Sequence, residues 1–231
     1  MKQFFLAFLP RPSPISIAEK LRSGLAGGIA IALLAFTLHQ LPQHSYPLLM
    51  LGSMAASAVL LFAAPHSPFS QPWNLIGGHL FSATAGWLCS LLISDPVIAA
   101  GVAVGTAIFL MYVLNCLHPP GAATALTLVL SGAQFHPMGW QWVAEIVLAN
   151  ALISLLLALL INNFLPGRTY PLLALPVSPP KTEPVIIAET ADIEWALAQM
   201  DTTIDVNLED LTAIYELAQQ HAQNRFNSKT A

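Results

Sequence analysis

The chain has 231 residues, of which 55% are hydrophobic and only 9% are charged, whereas an ordinary soluble domain has about 25% charged residues. The charges are also unevenly placed, because Asp95 and Glu145 are the only ones between Ser23 and Gly167. This pattern excludes an ordinary soluble enzyme. A net charge of −4 with 8 Lys and Arg excludes the basic surface of a nucleic-acid-binding protein. We therefore expect a protein that crosses a lipid bilayer several times and has no nucleic-acid partner.

The N-terminal segment, residues 1–20, is expected to lie in the cytoplasm and at the membrane interface. Four Lys or Arg residues precede Ser23, and the next cation is Arg168, after the last apolar segment. Positive charge collects on the cytoplasmic side of membrane proteins. We therefore expect a bacterial-type inner (plasma) membrane protein with both termini in the cytoplasm, which requires an even number of crossings.

Six apolar segments are predicted between the two basic regions. They are residues 21–40, 47–64, 74–94, 97–117, 119–133 and 141–165. About 20 helical residues cross the hydrocarbon core, so five segments are long enough, the second of them marginally. The fifth is too short, and we expect a short or broken helix that begins at Gly121, after non-helical chain at His118, Pro119 and Pro120.

Two parts of this apolar region resemble each other. Residues 24–42 resemble 101–119, and Ala-Ala-Ser-Ala at 55–58 resembles Ala-Ala-Thr-Ala at 122–125. Two three-helix repeats are therefore predicted, the second inverted relative to the first because three is an odd number. The expected fold is an all-α polytopic bundle, and binding sites in such proteins form near broken helices.

The remaining sequence divides the chain into domains. We expect a membrane domain at 21–166, a Pro-rich linker at 167–190 and a small, acidic, cytoplasmic helical hairpin at 191–226. Small residues four apart, as in Gly24 and Gly28 or Gly101 and Gly105, allow helices to approach closely. We interpret them as packing inside one bundle, with a homo-oligomer left open.

The first chemical motif is His118-Pro119-Pro120-Gly121. Two prolines stop a preceding helix and suit the start of the next one. The free N–H groups of a helix start attract anions, and His118 adds a donor. The alternative is a rigid turn in which only the prolines matter.

The second motif, Gln-Pro-Trp-Asn at 71–74, is another proline-led helix start with Gly78 and His79 in its first two turns. In the repeat alignment Gly78 and His79 correspond to Glu145 and the residue after it, so we expect His79 and Glu145 to meet. Glu145 would then couple protons or orient the histidine. The alternatives are an interfacial Glu145 and a histidine bonded to a helix carbonyl.

With both motifs in this order, the chain resembles the HPP family of integral membrane proteins over about residues 4–166. That family is usually described with four spans, fewer than the six segments above. Its photosynthetic members are nitrite transporters, so the resemblance implies transport of a small anion.

The lack of Lys and Arg between Gly24 and Gly167 narrows the expected substrate. N–H dipoles, hydroxyls and histidine suit a small monovalent anion, whereas a multiply charged one needs an arginine clamp. The expected binding residues combine both motifs with two repeat-related hydroxyls. They are His118, Pro119, Pro120, Gly121, Ala122, Thr124, Asn74, Gly78, His79 and Ser57.

The expected function is therefore an inner-membrane transporter or channel for a small monovalent anion, with nitrite as the expected substrate. We expect no enzymatic activity, cofactor or bound metal. Two alternatives stay open, namely a membrane scaffold or sensor that signals through the C-terminal tail, and a membrane-embedded enzyme.

Overall fold

The structure, a computed structural model, describes residues 15–40 and 50–172 together with Phe8, Leu211 and Tyr215. The described ranges are helical and contain no strand. Their helices are α1 (Ile17–His39), α2 (Ser53–Ala63), α3 (Pro72–Leu92), α4 (Pro96–Val113), α5 (Pro119–Leu130), α6 (Gly132–Phe135) and α7 (Trp140–Phe164).

The chain divides into two units, and the unit Leu21–Pro176 contains α2 to α7 and all but the first turn of α1. The predicted hairpin at 191–226 lies outside the described residues except for Leu211 and Tyr215. Most of the predicted N-terminal segment and linker lies outside them as well.

Three helices begin at a proline, namely α3 at Pro72, α4 at Pro96 and α5 at Pro119. Proline suits this position because the first N–H of a helix has no partner within the helix. Asp95 caps α4, since its carboxylate accepts bonds from the N–H groups of Val97 (2.9 Å) and Ile98 (3.0 Å). The local sequence thus determines where these helices start.

Helix length separates two classes of helix. Helices α1, α3, α4 and α7 are long and apolar enough to cross a membrane. Helices α2 and α5 have 11 and 12 residues, which reach only about 16–18 Å of a core about 30 Å thick. The short fifth helix was predicted, but its expected start at Gly121 is wrong. It begins at Pro119, because prolines fit the first positions of a helix. The second segment was expected to be longer. Six crossings and an inverted repeat stay predictions.

The two short helices run in opposite directions. Helix α2 is parallel to α7, because Leu51 donates its N–H to Asn150 and the Leu61 carbonyl accepts from Asn162. Helix α5 begins beside Gly78 of α3 and ends near Ser90, which contacts Gly132. The helix α7 is antiparallel to α3, because Trp140 at its start packs on Trp87 near the end of α3. The helices α2 and α5 therefore point toward opposite ends of the bundle.

Helices α3 and α5 touch through their backbones. A Cβ at Gly121 would lie 2.5 Å from the Gly78 carbonyl oxygen, and one at Gly86 would collide with the backbone of Ala125. Side chains larger than hydrogen would separate the helices at both points. This close approach fixes the start of α5 against the middle of α3.

The glycine pairs on α1 and α4 do not take part in such packing. No atom lies within 4 Å of a Cβ built at Gly24, Gly28, Gly101 or Gly105. The interpretation that these pairs pack inside the bundle is wrong, because the periodicity of each helix turns them outward. Whether they contact a second copy stays a prediction.

Candidate functional site

A cluster of polar side chains lies where the first two turns of α2 and of α5 meet the side chain of His79 on α3. His79, His118, Ser57 and Thr124 are fully buried, each with 0% exposure. Ser57 Oγ is 2.9 Å from His79 Nε2 and 2.9 Å from His118 Nε2. The other ring nitrogen of His79, Nδ1, is 2.7 Å from Thr124 Oγ1. We call these four residues the imidazole cluster.

The cluster is closed at both ends by further hydrogen bonds. Thr124 Oγ1 lies 2.7 Å from the hydroxyl of Ser53. His118 Nδ1 lies 2.8 Å from the carbonyl oxygen of Phe69, in the loop before α3. The two imidazole rings meet edge to face with centroids 4.9 Å apart. All four ring nitrogens therefore have a partner.

The Phe69 carbonyl determines which way the protons point. A carbonyl oxygen only accepts, so His118 must carry its proton on Nδ1, and in the neutral ring Nε2 accepts from the Ser57 hydroxyl. Ser57 then accepts from His79 Nε2–H, and His79 Nδ1 accepts from the Thr124 hydroxyl. The neutral cluster is thus one directed chain of hydrogen bonds with every donor used.

The second motif, at the start of α3, holds His118 in place. Gly78 has no side chain, and a Cβ there would collide with the Cβ of His118. Asn74 Nδ2 donates to the Leu117 carbonyl (2.9 Å), and Trp73 Nε1 donates to the Leu114 carbonyl (3.0 Å). The first turn of α3 therefore holds the chain that leads into His118.

At the start of α5 the structure differs from the anion site that the sequence predicted, which required free N–H groups. Pro119 and Pro120 have no N–H, and the Gly121 N–H donates to the His118 carbonyl at 2.8 Å. No free N–H group remains at these three residues. Pro119 is exposed, whereas Pro120 and Gly121 are buried and Ala122 is partly buried. The donors of the site are consequently side chains of the imidazole cluster.

Glu145 does not meet His79. Glu145 lies on the exposed side of α7, and both ring nitrogens of His79 are bonded to hydroxyls. The expected pairing is wrong because helical periodicity turns Val143, Ile146 and Val147 inward and leaves Glu145 outside. The partner of His79 across the cluster is His118.

Sequence reasoning missed three groups of this site. Ser53 was not among the expected binding residues, although it lies one turn before Ser57 on the same face. The Phe69 carbonyl has no sequence signal. Ser82 lies one turn after His79, has 0% exposure and has no hydrogen-bond partner for its hydroxyl. That hydroxyl lies beside Gly121 at the start of α5.

Two curated transmembrane proteins of Dictyostelium discoideum are similar to this chain. One is 39% identical over 153 residues, which cover 64% of this chain and 49% of the relative. The other is 43% identical over 127 residues, which cover 53% of this chain and 44% of the relative. The matched part is thus about half the length of these relatives. No solved structure matches the chain.

The residues that match a protein family include the whole imidazole cluster. The model of the HPP transmembrane region matches residues 12–171, which include both proline-led motifs and every residue of the imidazole cluster. Together with the four long apolar helices, this match shows a multi-pass membrane protein. The chain belongs to the HPP family of transmembrane proteins.

Proposed function

We propose that the membrane domain transports a small monovalent anion, with nitrite as the expected substrate, and that the anion binds at the imidazole cluster. The observation that carries the proposal is the full burial of two histidines and two hydroxyl residues in a domain with four long apolar helices. Polar side chains inside a membrane domain are costly and usually functional.

The charge of the site favours a singly charged substrate. No Lys or Arg occurs between Gly24 and Gly167, so no arginine clamp for a multiply charged anion is available there. Hydroxyl and imidazole N–H groups can replace part of the hydration shell of a small planar anion. Such a site binds weakly and favours rapid passage.

Transport can be tested with the full chain in proteoliposomes. We expect labelled nitrite to enter faster than into protein-free liposomes, and phosphate to enter no faster than in the control. Because His118 lies in the cluster, we expect His118→Gln to reduce nitrite entry by roughly tenfold, equivalent to about 1.4 kcal/mol.

A matched control uses a histidine away from the cluster. His136 is bonded to Ser90 and packs on Trp87 near the other end of α3, so His136→Gln should retain nitrite entry. Equal flux with protein and with empty liposomes, for correctly folded protein, would overturn the proposal.

The other expectations remain proposals. A sensor that signals through the tail would depend on residues 191–226, which lie outside the described ranges. The absence of enzymatic activity, the inner-membrane location and the cytoplasmic termini likewise stay predictions.

A further inference from the structure

We infer that the site takes up one proton with each anion, and that His79 and His118 hold this proton between them. This inference rests on the proposed anion transport and specifies how that transport is coupled. It follows from two features of the imidazole cluster. The cluster has no fixed cation, and the Ser57 hydroxyl can form hydrogen bonds with His118 in both its neutral and its protonated form.

The first feature concerns the charge that an anion would meet. A buried anion without a positive partner is strongly unfavourable in a low-dielectric medium. Within residues 24–167 no Lys or Arg is present, so only an imidazole can supply a positive charge beside the anion.

Other titratable groups do not reach the two rings. On α3 and the elements packed against it, the other titratable groups of the described ranges are His66, Cys89, Asp95, Tyr112, Cys116, His136, Glu145, Arg168 and Tyr170. Cys89 packs with Ala85 and Val129, Asp95 caps α4, and Tyr112 is exposed. Cys116 lies against Gly77, and Glu145 is on the exposed side of α7. Tyr170 bonds to the Ser70 carbonyl, and Arg168 bonds to Asn162 and Ser23. The titratable group that contacts each imidazole is therefore the other imidazole.

The second feature is the position of Ser57 between two acceptors. In the neutral cluster its O–H donates to His118 Nε2, as the Phe69 carbonyl requires. The Ser57 hydroxyl also lies 3.3 Å from the Ser53 carbonyl in a geometry in which it can donate. Rotation of one hydroxyl group thus exchanges one acceptor for the other.

An added proton fits this alternative arrangement. The proton comes from bulk water and binds to His118 Nε2, which then donates to Ser57 Oγ. The Ser57 O–H then donates to the Ser53 carbonyl. A bound anion can accept this hydrogen bond instead of the carbonyl. His79 Nε2–H still donates to Ser57, whose oxygen has two lone pairs, so no group of the cluster loses its partner.

A second proton is opposed by the first. The ring centroids are only 4.9 Å apart, and two like charges at this distance disfavour each other. The pair therefore takes up one proton beyond the two that the neutral rings carry. One proton with one monovalent anion carries no net charge through the membrane domain.

The test measures proton movement and anion movement together. Full-length protein in proteoliposomes with an internal pH dye is given nitrite outside at neutral pH, with the membrane potential set by potassium and valinomycin. We expect luminal acidification of about one proton per nitrite that enters, and a nitrite flux that does not change with membrane potential. Protein-free liposomes correct for nitrous acid that crosses the lipid itself.

A second measurement does not depend on transport. In detergent with a dilute buffer, adding nitrite to the folded protein should raise the pH as the cluster binds protons. His79→Gln and His118→Gln should lose this uptake, and His136→Gln should keep it. Should either variant fail to fold, the wild-type stoichiometry still decides the question.

The outcomes separate the two proposals. Nitrite flux that is specific to the protein, follows the membrane potential and leaves the luminal pH unchanged would overturn proton coupling and leave anion transport standing. Absence of both nitrite flux and nitrite binding would overturn the proposed function, and proton coupling with it.

Discussion

At the scale of single residues, Thr124 is a point where the buried network can be tested without changing its shape. Its hydroxyl connects His79 Nδ1 with the hydroxyl of Ser53. Valine has the same shape without the hydroxyl, so Thr124→Val would leave both partners buried and unpaired, at a cost of about 1–3 kcal/mol. We expect lower thermal stability in detergent and strongly reduced nitrite entry.

Thr124→Ser is the matched variant because it keeps the hydroxyl and removes only a methyl group. It should retain most of the nitrite entry. If Thr124→Val were as stable and as active as the wild type, the directed hydrogen-bond chain would not describe the working site.

For Ser82 we predict the opposite effect of removing a hydroxyl on the stability of the protein. Its buried hydroxyl has no partner in the structure, so Ser82→Ala removes an unsatisfied polar group and should raise the stability of the anion-free protein by up to about 1 kcal/mol. Because this hydroxyl lies beside Gly121 at the cluster, nitrite should stabilise the variant less than it stabilises the wild type.

The measurement is the unfolding temperature with and without nitrite. Ser57→Ala serves as the comparison, because Ser57 is fully bonded and its loss should lower the unfolding temperature in the absence of nitrite. A Ser82→Ala protein that is clearly destabilised without nitrite would mean that this hydroxyl has a partner.

At the scale of the helices, the sequence predicted the starts of α3, α4 and α5 to within about two residues, because proline acts locally. It also identified Ser57 and Thr124 as a related pair, and both bond to His79. It did not predict the start of α2, because residues 47–52 continue the apolar run up to Ser53. The pairing of His79 with Glu145 failed because a linear alignment does not determine which face of a helix is buried.

The contact between α3 and α5 gives a test of helix packing. Gly121→Ala places a Cβ 2.5 Å from the Gly78 carbonyl and 2.9 Å from the Ser82 hydroxyl. Since the carbonyl belongs to a helix and cannot turn away, the helices must separate, and overpacking of this kind costs about 1–3 kcal/mol. We expect a lower unfolding temperature together with loss of nitrite entry.

Gly101→Ala is the control for this substitution. It makes the same chemical change on α4, where no atom lies within 4 Å of the new Cβ. Because alanine favours a helix over glycine by about 1 kcal/mol, Gly101→Ala should be neutral or stabilising. Equal destabilisation by both substitutions would indicate that Gly101 is packed against another molecule.

At the scale of the whole membrane domain, hydrogen bonds join the N-terminal part of its chain to the C-terminal part. Arg168, just after α7, donates to the Ser23 hydroxyl near the start of α1 (2.8 Å) and to Asn162 (3.1 Å). Tyr170 donates to the Ser70 carbonyl, next to the Phe69 carbonyl that holds His118. The end of the domain is thus connected to the loop that orients the imidazole cluster.

The Arg168 bond also predicts the topology of the chain. Since Ser23 and Arg168 lie on the same side of the domain, the N-terminus and the C-terminus of the membrane domain should face the same compartment. From the basic residues near them, we predict that this compartment is the cytoplasm. In a variant without Cys89 and Cys116, Lys181→Cys should react with a membrane-impermeant thiol reagent only after bacterial cells are opened. Ser94→Cys, in the exposed turn before α4, should react in intact cells. Labelling of both cysteines from outside would contradict this topology.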